Sequence, residues 1–150
     1  MNTKFIITRN AGILAATALG AFAVSGSMAS PADKPSDADN FYKSGRVSQQ
    51  EVKFNNQYRM KVAGNLFLPK DMDKEARCPA IIVGHPMGAV KEQSANLYAA
   101  KMAERGFVTL ALDLPFWGGS DGEPRNSVSP DMYAEAFSAA ADYLGTRPFV

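Results

Sequence analysis

The sequence is poor in the residues on which cross-links and metal sites depend. It contains one cysteine, Cys78, and one histidine, His85. A single cysteine cannot form an internal disulfide, even in an oxidising compartment. A lone histidine without a cysteine pair completes no ligand set for a metal ion, and nothing around Cys78 in the sequence indicates a catalytic thiolate. We therefore expect no metal site and no cofactor.

An excess of positive charge is also missing. The chain carries 16 Lys and Arg against 15 Asp and Glu, a net charge of +1. Without a basic patch, the sequence gives no reason to expect a nucleic acid or an anionic membrane as a partner. With 46% hydrophobic and 21% charged residues, the composition is that of a globular protein with one core.

No apolar run is long enough to span a bilayer. Residues 11–24 form a 14-residue stretch without charge, whereas a transmembrane helix needs about 20 residues. Lys4 and Arg9 precede this stretch, and Ser27-Met28-Ala29 supplies small residues at the positions that a signal peptidase reads. We predict a signal peptide over residues 1–29, cleaved after Ala29, and a periplasmic or secreted protein without a stable membrane anchor. A membrane anchor is the less favoured alternative.

The remaining chain divides into a linker and one domain. Residues 30–46 contain two prolines, alternating charges and few apolar residues, which indicates an exposed linker or a loosely held arm. The pattern predicts a strand over residues 47–54, a turn at Asn55-Asn56 and a strand over residues 58–68. The apolar face of the second strand is predicted to hold Tyr58, Met60, Val62, Leu66 and Leu68.

Two continuous apolar runs follow, at Ala80–Val83 and at residues 107–112. Such runs are typical of central parallel strands that are covered on both faces. A helix is predicted between them, ending near Gly106, so that strand, helix and strand form a right-handed crossover. Its inward face is predicted to hold Ala95, Tyr98, Ala99, Met102 and Ala103.

A second helix is predicted from Ser129 to Gly145. Ser129 can cap the helix, Pro130 suits the first helical position and Asp131 lies favourably near the positive helix end. Gly145 is predicted to end the helix. The inward face is predicted to hold Tyr133, Ala136, Phe137, Ala140, Ala141 and Leu144.

The loop Gly84-His85-Pro86-Met87-Gly88, which follows the third predicted strand, resembles the oxyanion loop of the α/β-hydrolases. Its continuation over residues 89–93 is similar to that of bacterial members related to dienelactone hydrolases and acyl-peptide-cleaving enzymes. The resemblance implies an α/β fold over residues 47–150, with a mostly parallel central sheet, flanking helices and the strand order 1, 2, 4, 3. It also implies that the chain holds the N-terminal half of such a fold and stops before the nucleophile elbow.

The resemblance assigns roles to individual residues of this loop. Pro86 has no N–H to donate, so the oxyanion donor is expected to be the backbone N–H of Met87. In the family the catalytic base follows the nucleophile in the chain, so His85 is expected to shape the loop together with Gly88. Independently of the resemblance, Lys91 and Glu92 could pair with each other or begin the helix, but as lone charges on a loop they are expected to be solvated.

A second loop contains a literal match to the nucleophile pattern G-x-S-x-G at Gly118-Gly119-Ser120-Asp121-Gly122. A nucleophile elbow needs a strand directly before the serine and a helix directly after it, and the sequence predicts neither at Ser120. The segment over residues 113–124 instead resembles the family's loop after the fourth strand, which borders the active site. There Phe116 and Trp117 are candidates for lining a pocket, or for covering the sheet edge.

The function that the resemblance implies is nucleophilic acyl transfer on a small-molecule ester or a related compound by an exported hydrolase. Because no nucleophile, acid or base is recognised, the 150-residue chain is expected to be inactive by itself. The alternative is a non-enzymatic remnant or partner-binding module that uses, or self-associates through, the open edge of Ala80–Val83. A nucleotide-binding protein is disfavoured, because the loop at His85 has too few glycines for a phosphate loop. The sequence names no substrate and does not choose between a serine and a cysteine nucleophile.

Overall fold

The computed structural model describes residues 42–73, 75 and 77–150. The signal peptide predicted over residues 1–29 and most of the predicted linker lie outside the described residues. The described part of the chain contains four strands and two helices, close to the predicted positions. In chain order they are β1 (Val47–Asn55), β2 (Lys61–Pro69), β3 (Ala80–Val83), α1 (Ser94–Ala103), β4 (Val108–Leu112) and α2 (Pro130–Gly145).

The four strands form one sheet in the order β1-β2-β4-β3, which is the order that the resemblance implies for these strands. β1 pairs antiparallel with β2, β2 pairs antiparallel with β4, and only β3 and β4 are parallel. The sheet is therefore mixed in the described residues, rather than mostly parallel. The reason is that β1 and β2 are joined by a short turn, which makes a hairpin, whereas α1 provides the crossover that parallel strands require.

The turn between β1 and β2 is longer than predicted, and β2 begins at Lys61. The Asn56 side chain closes this turn, because its Oδ1 accepts hydrogen bonds from the N–H groups of Tyr58 and Met60, each at 3.0 Å. Tyr58 is 59% exposed and does not belong to the apolar face of the strand. Val62 and Leu66 do belong to it.

One face of the sheet packs against α2. The buried members of this cluster are Val62, Leu66, Val108, Leu110, Leu112, Ala136, Ala140 and Leu144. The face of α2 differs from the prediction at two alanines, since Ala139 is buried and Ala141 is exposed. Ala136, Ala140 and Leu144 follow each other at intervals of four, which turns Ala141 away from the sheet. Ser129 is the N-cap residue, but its side chain makes no capping hydrogen bond.

The opposite face packs against α1 through small side chains. Four alanines of α1 are buried against Phe67 and Ala111: Ala95, Ala99, Ala100 and Ala103. Because alanines let the helix approach closely, the buried stripe is narrow, and Tyr98, which was predicted to face inward, is 61% exposed. Thr109 ties the helix to β4 by donating to the carbonyl of Ala99 at 2.8 Å. Within the described residues, neither helix has the length and apolarity that crossing a membrane requires.

The described part of the predicted linker contacts the end of α1. Tyr42 donates a hydrogen bond to the Glu104 carboxylate, and Arg46 lies 3.4 Å from the same group. The hydrogen bond from Tyr42 is the main cause that lowers the pKa of Glu104. Residues 42–46 are therefore packed on the domain.

β4 is buried along its whole length, whereas the residues of β3 at the sheet edge are only partly covered. This difference follows from the strand order, since β4 has neighbours on both sides and β3 has one in the described part. β3 and β4 are parallel, so their carboxyl ends lie at the same sheet edge. The loops that follow them meet there, and they carry the predicted site residues.

Candidate functional site

Residues 86–89 form a tight turn at the carboxyl end of β3. The N–H of Ala89 donates to the carbonyl of Pro86 at 3.1 Å, and Gly88 has a φ of 82°, whereas Met87 is not among the residues with positive φ. This combination defines a type II turn, in which the third residue needs a positive φ. The third residue here is Gly88, so a glycine is favoured at that position.

His85 is buried and both of its ring nitrogens are engaged by the backbone. The N–H of Leu114 donates to Nε2 at 3.0 Å, so Nε2 carries no proton. Nδ1 therefore carries the proton and donates to the carbonyl of Pro86 at 2.9 Å. The ring is a neutral connector between the loop after β3 and the end of β4. Neither nitrogen is free to accept a proton from a substrate or a nucleophile.

Met87 lies at the tip of this turn. It is 73% exposed, and its N–H donates no hydrogen bond within the described residues. Pro86 before it has no N–H at all. Met87 thus presents an unpaired backbone donor on an exposed turn, which is a group that can bind a ligand oxygen.

Ser120 is buried, and its hydroxyl is engaged on both sides. It donates to the carbonyl of Asp113 at 2.6 Å and accepts from the N–H of Ala63 at 2.9 Å. Its own N–H donates to the carbonyl of Trp117 at 3.1 Å, in a turn, and no helix begins directly after it, since α2 starts only at Pro130. The G-x-S-x-G match is therefore a structural turn without the geometry of a nucleophile elbow. Its serine hydroxyl hydrogen-bonds both to β2, at Ala63, and to Asp113, the residue after β4.

This geometry predicts that Ser120 contributes stability. In Ser120→Ala the buried N–H of Ala63 loses its acceptor, and the free energy of unfolding should fall by about 1–3 kcal/mol. The control is Ser127→Ala, which removes an exposed hydroxyl that donates to the Pro124 carbonyl and should change stability by less than about 0.5 kcal/mol. Urea unfolding measures both variants, and equal effects would contradict the assigned role.

A buried ion pair lies between the two loops. Asp113, directly after β4, is 0% exposed, and its carboxylate accepts from Lys91 Nζ at 2.7 Å, from the Lys91 N–H at 2.8 Å and from the Gly119 N–H at 2.8 Å. Lys91 also contacts Glu92. Lys91 was expected to be solvated, and this expectation is wrong because Asp113 offers a fully buried partner.

The electrostatics of Lys91 follow from these contacts. Burial alone lowers the pKa of Lys91, but the hydrogen bonds to Asp113 and Glu92, together with their charges, outweigh burial and raise the pKa above its ordinary value. Lys91 is therefore an ammonium ion at neutral pH. The pair satisfies the buried Asp113 charge, which would otherwise be very costly.

The glycines of the second loop let the backbone approach Asp113 closely. A Cβ built on Gly118 would lie 2.3 Å from the Asp113 carboxylate, and the φ of Gly118 is 51°. A Cβ on Gly119 would lie 3.2 Å from the Cβ of Ala63. The two glycines and Ser120 thus all contact Asp113. This packing gives the residues of the G-x-S-x-G match a structural role.

The two aromatic candidates lie in the same loop and are both half-buried. Trp117 Nε1 donates to the hydroxyl of Tyr133 at 2.7 Å and to the carbonyl of Ser127 at 3.1 Å. The ring centroids of Trp117 and His85 are 6.4 Å apart in an edge-to-face arrangement. Trp117 is therefore fixed between α2 and the loop at His85, and lining of a pocket by Phe116 and Trp117 stays a prediction.

Arg125 closes this loop. Its guanidinium donates to the carbonyls of Ser120 and Gly118, at 2.6 and 2.8 Å. In the part of the chain that the structure describes, no group of three or more His, Cys, Asp or Glu side chains could hold a metal ion. Sequence reasoning missed the Lys91–Asp113 pair and Arg125, although Asp113 before a glycine-rich stretch was a signal for a buried carboxylate.

Known proteins resemble this chain over most of the described domain, although no family model matches it. It is 51% identical over 107 residues to the uncharacterized protein PA2218 of Pseudomonas aeruginosa, which covers 71% of this chain and 29% of that protein. The crystal structure of PA2218 superposes with a TM-score of 0.71 at 49% identity, covering 76% of this chain and 35% of that one.

Two further similar proteins are fungal and carry the names of hydrolases. The α/β-hydrolase GrgF from Penicillium sp. sh18 superposes with a TM-score of 0.62 at 27% identity, covering 69% of this chain and 34% of that one. The thiohydrolase aneE of Aspergillus aculeatus is 32% identical over 98 residues, which are 65% of this chain and 29% of that protein. The chain thus spans less than a third of the curated relatives that it matches. It has a partial α/β-hydrolase fold.

Proposed function

We propose that residues 85–91 form part of the oxyanion-binding site of an exported, esterase-like α/β-hydrolase. The observation that carries this proposal is the Met87 N–H on a type II turn at the carboxyl edge of the sheet, a donor without a partner among residues 42–73, 75 and 77–150. Ligands of open α/β sheets bind at this edge. The similarity to an α/β-hydrolase and to a thiohydrolase supports an acyl compound as the substrate class.

The proposed reaction is acyl transfer from a small-molecule ester or thioester to an enzyme nucleophile, followed by attack of water. The tetrahedral intermediate carries a negative oxygen, and one donor that faces this oxygen is worth about 3–4 kcal/mol. In this proposal Met87 is that donor, His85 and Gly88 give the loop its shape, and the loops at residues 85–91 and 113–124 border the substrate. Among the α/β-hydrolases, the type of enzyme that we propose is dienelactone hydrolase-like or esterase-like.

The nucleophile and its base do not come from residues 42–150 in this proposal. Ser120 is buried with its hydroxyl engaged, and both nitrogens of His85 bind the backbone. We therefore propose that the 150-residue polypeptide alone does not turn over esters. The signal peptide predicted over residues 1–29 supports export to the periplasm or the medium.

A chimera tests the function. Residues 42–150 are joined to the part of PA2218 that follows its aligned segment, and the product is treated with a serine-reactive fluorophosphonate and with aryl ester and thioester substrates. We expect covalent labelling in the PA2218 part and hydrolysis of an ester or thioester. The 150-residue chain alone should show neither. Labelling of Ser120 would contradict the proposal. So would a chimera that the fluorophosphonate does not label when it does label intact PA2218.

A second candidate function is a non-enzymatic module that binds a partner strand or a second copy through β3. Ala80–Val83 lies at the sheet edge, with pairing on one side only in the described residues, and such edges bind further strands. Sedimentation velocity discriminates, since this candidate requires self-association that rises with concentration. A monomer at all concentrations would leave it without support.

A further inference from the structure

The two ends of the 85–91 loop are held by two consecutive residues at the end of β4. At the first end, the Leu114 N–H donates to His85 Nε2 at 3.0 Å. At the second end, the Asp113 carboxylate accepts from both the backbone N–H and Nζ of Lys91, at 2.8 and 2.7 Å. The loop is thus closed on one point of the sheet edge, and the type II turn with Met87 forms its tip.

Lys91 is held by three groups at the second end of this loop. Its side chain is 10% exposed, and its carbonyl accepts from the Asn96 N–H at 2.9 Å in the first turn of α1. Its N–H, its carbonyl and its ammonium group are therefore all bound. Displacing Lys91 would break contacts to β4 and to α1 together.

We propose that Lys91 is a positioning residue for the Met87 N–H, because its double attachment to Asp113 fixes the second end of the loop and with it the direction of that donor. This inference rests on the proposed oxyanion role of Met87. An oxyanion donor acts only if it is oriented before the reaction. A buried ion pair with two hydrogen bonds from one residue restrains the loop far more than a single neutral contact does.

The alternative role of the pair is stabilisation of the whole domain. The two roles differ in where the chain opens when the pair is lost. Loss of a stabilising contact raises amide exchange throughout the core, whereas loss of a positioning contact raises it in the loop before the core responds. Leu110 of β4, which is fully buried, reports on the core.

The test measures amide hydrogen exchange and the Met87 amide resonance by NMR in the full 150-residue chain. The variants are Lys91→Met, Asp113→Asn and Lys91→Arg, with Lys101→Met as the matched control. Lys101 lies on α1 and contacts Glu104 and Tyr42, away from the loop. Lys91→Arg keeps the positive charge and the donors to Asp113.

We expect Lys91→Met and Asp113→Asn to shift the Met87 resonance and to accelerate exchange of the hydrogen-bonded loop amides of residues 89 and 91 by about tenfold or more, with Leu110 changed much less. In Lys91→Arg the Met87 resonance and the loop exchange should stay close to those of the unsubstituted chain. Lys101→Met should leave both unchanged. Loop exchange that is unchanged in either folded variant, or that rises only as much as exchange at Leu110, would overturn the proposal. If Lys91→Met does not fold, Asp113→Asn decides by the same criterion.

The readout needs no catalytic activity, so this inference and the proposed function fail separately. A chimera that is not labelled would leave the loop restraint by Lys91 in place. Unchanged loop exchange in the variants would overturn only the positioning role of Lys91. The oxyanion role proposed for Met87 would not be affected.

Discussion

Replacing Met87 by proline in the chimera is expected to lower kcat for ester hydrolysis by about 100- to 1000-fold, the loss seen when one oxyanion donor is removed. Proline deletes the N–H and little else. Met87 is the second residue of a type II turn, where proline is favoured, and it is 73% exposed, so few contacts are lost. Steady-state kinetics on an aryl ester measures the effect.

The matched control is Met87→Ala, which removes the side chain and keeps the N–H. We expect kcat of this variant to stay within about threefold of the unsubstituted chimera, since a donor that is retained preserves the transition-state contact. Thermal unfolding of both variants checks that the fold is retained. A proline variant with the kcat of the alanine variant would show that the Met87 N–H does not act on the reacting oxygen.

Replacing Gly118 by alanine is expected to lower the free energy of unfolding by about 3 kcal/mol or more. The new Cβ would lie 2.3 Å from the buried Asp113 carboxylate, and a φ of 51° is unfavourable for alanine. The carboxylate must move, and its bonds to Lys91 and Gly119 weaken together. Urea unfolding of the 150-residue chain measures the change.

Gly145→Ala provides the control for this substitution. Gly145 ends α2, and no atom lies within 4 Å of a Cβ built there. Alanine at such a position should leave stability unchanged or raise it by up to about 1 kcal/mol. Similar losses in the two variants would mean that the close approach of Gly118 to Asp113 does not matter for stability.

The elements that local patterns define were predictable from the sequence. The apolar runs at Ala80–Val83 and Val108–Leu112, with a helix between them, predicted the parallel pair and its crossover. Pro130 and Gly145 delimit α2 as predicted. These predictions depend on residue patterns within each single strand or helix, where hydrophobic periodicity is a strong signal.

The contacts that build the site were not predictable in the same way. Lys91 and Asp113 are 22 residues apart, and a lysine in a loop looks solvated until the fold supplies a buried partner. Tyr98 and Ala141 fit the helical spacing of their inward faces, yet they are exposed, because the width of a buried stripe depends on the neighbour. The Asn56 side chain likewise set the start of β2 by closing a turn.

The resemblance of the loop at His85 to the oxyanion loop of α/β-hydrolases provided the functional expectation, and the geometry provided its physical basis. A neutral histidine with both nitrogens bound, a glycine with positive φ and a buried ion pair lie around the Met87 N–H, which donates no hydrogen bond in the described part of the chain. None of these features alone indicates a function. Their convergence on Met87 is what the account depends on.

The most direct measurement is the crystal structure of the chimera after reaction with a phosphonate, whose oxygen occupies the position of the oxyanion. The account predicts a distance of about 2.7–3.1 Å between that oxygen and the backbone nitrogen of Met87. A phosphonate oxygen that is bound by other donors, and lies more than about 4 Å from Met87, would contradict the account.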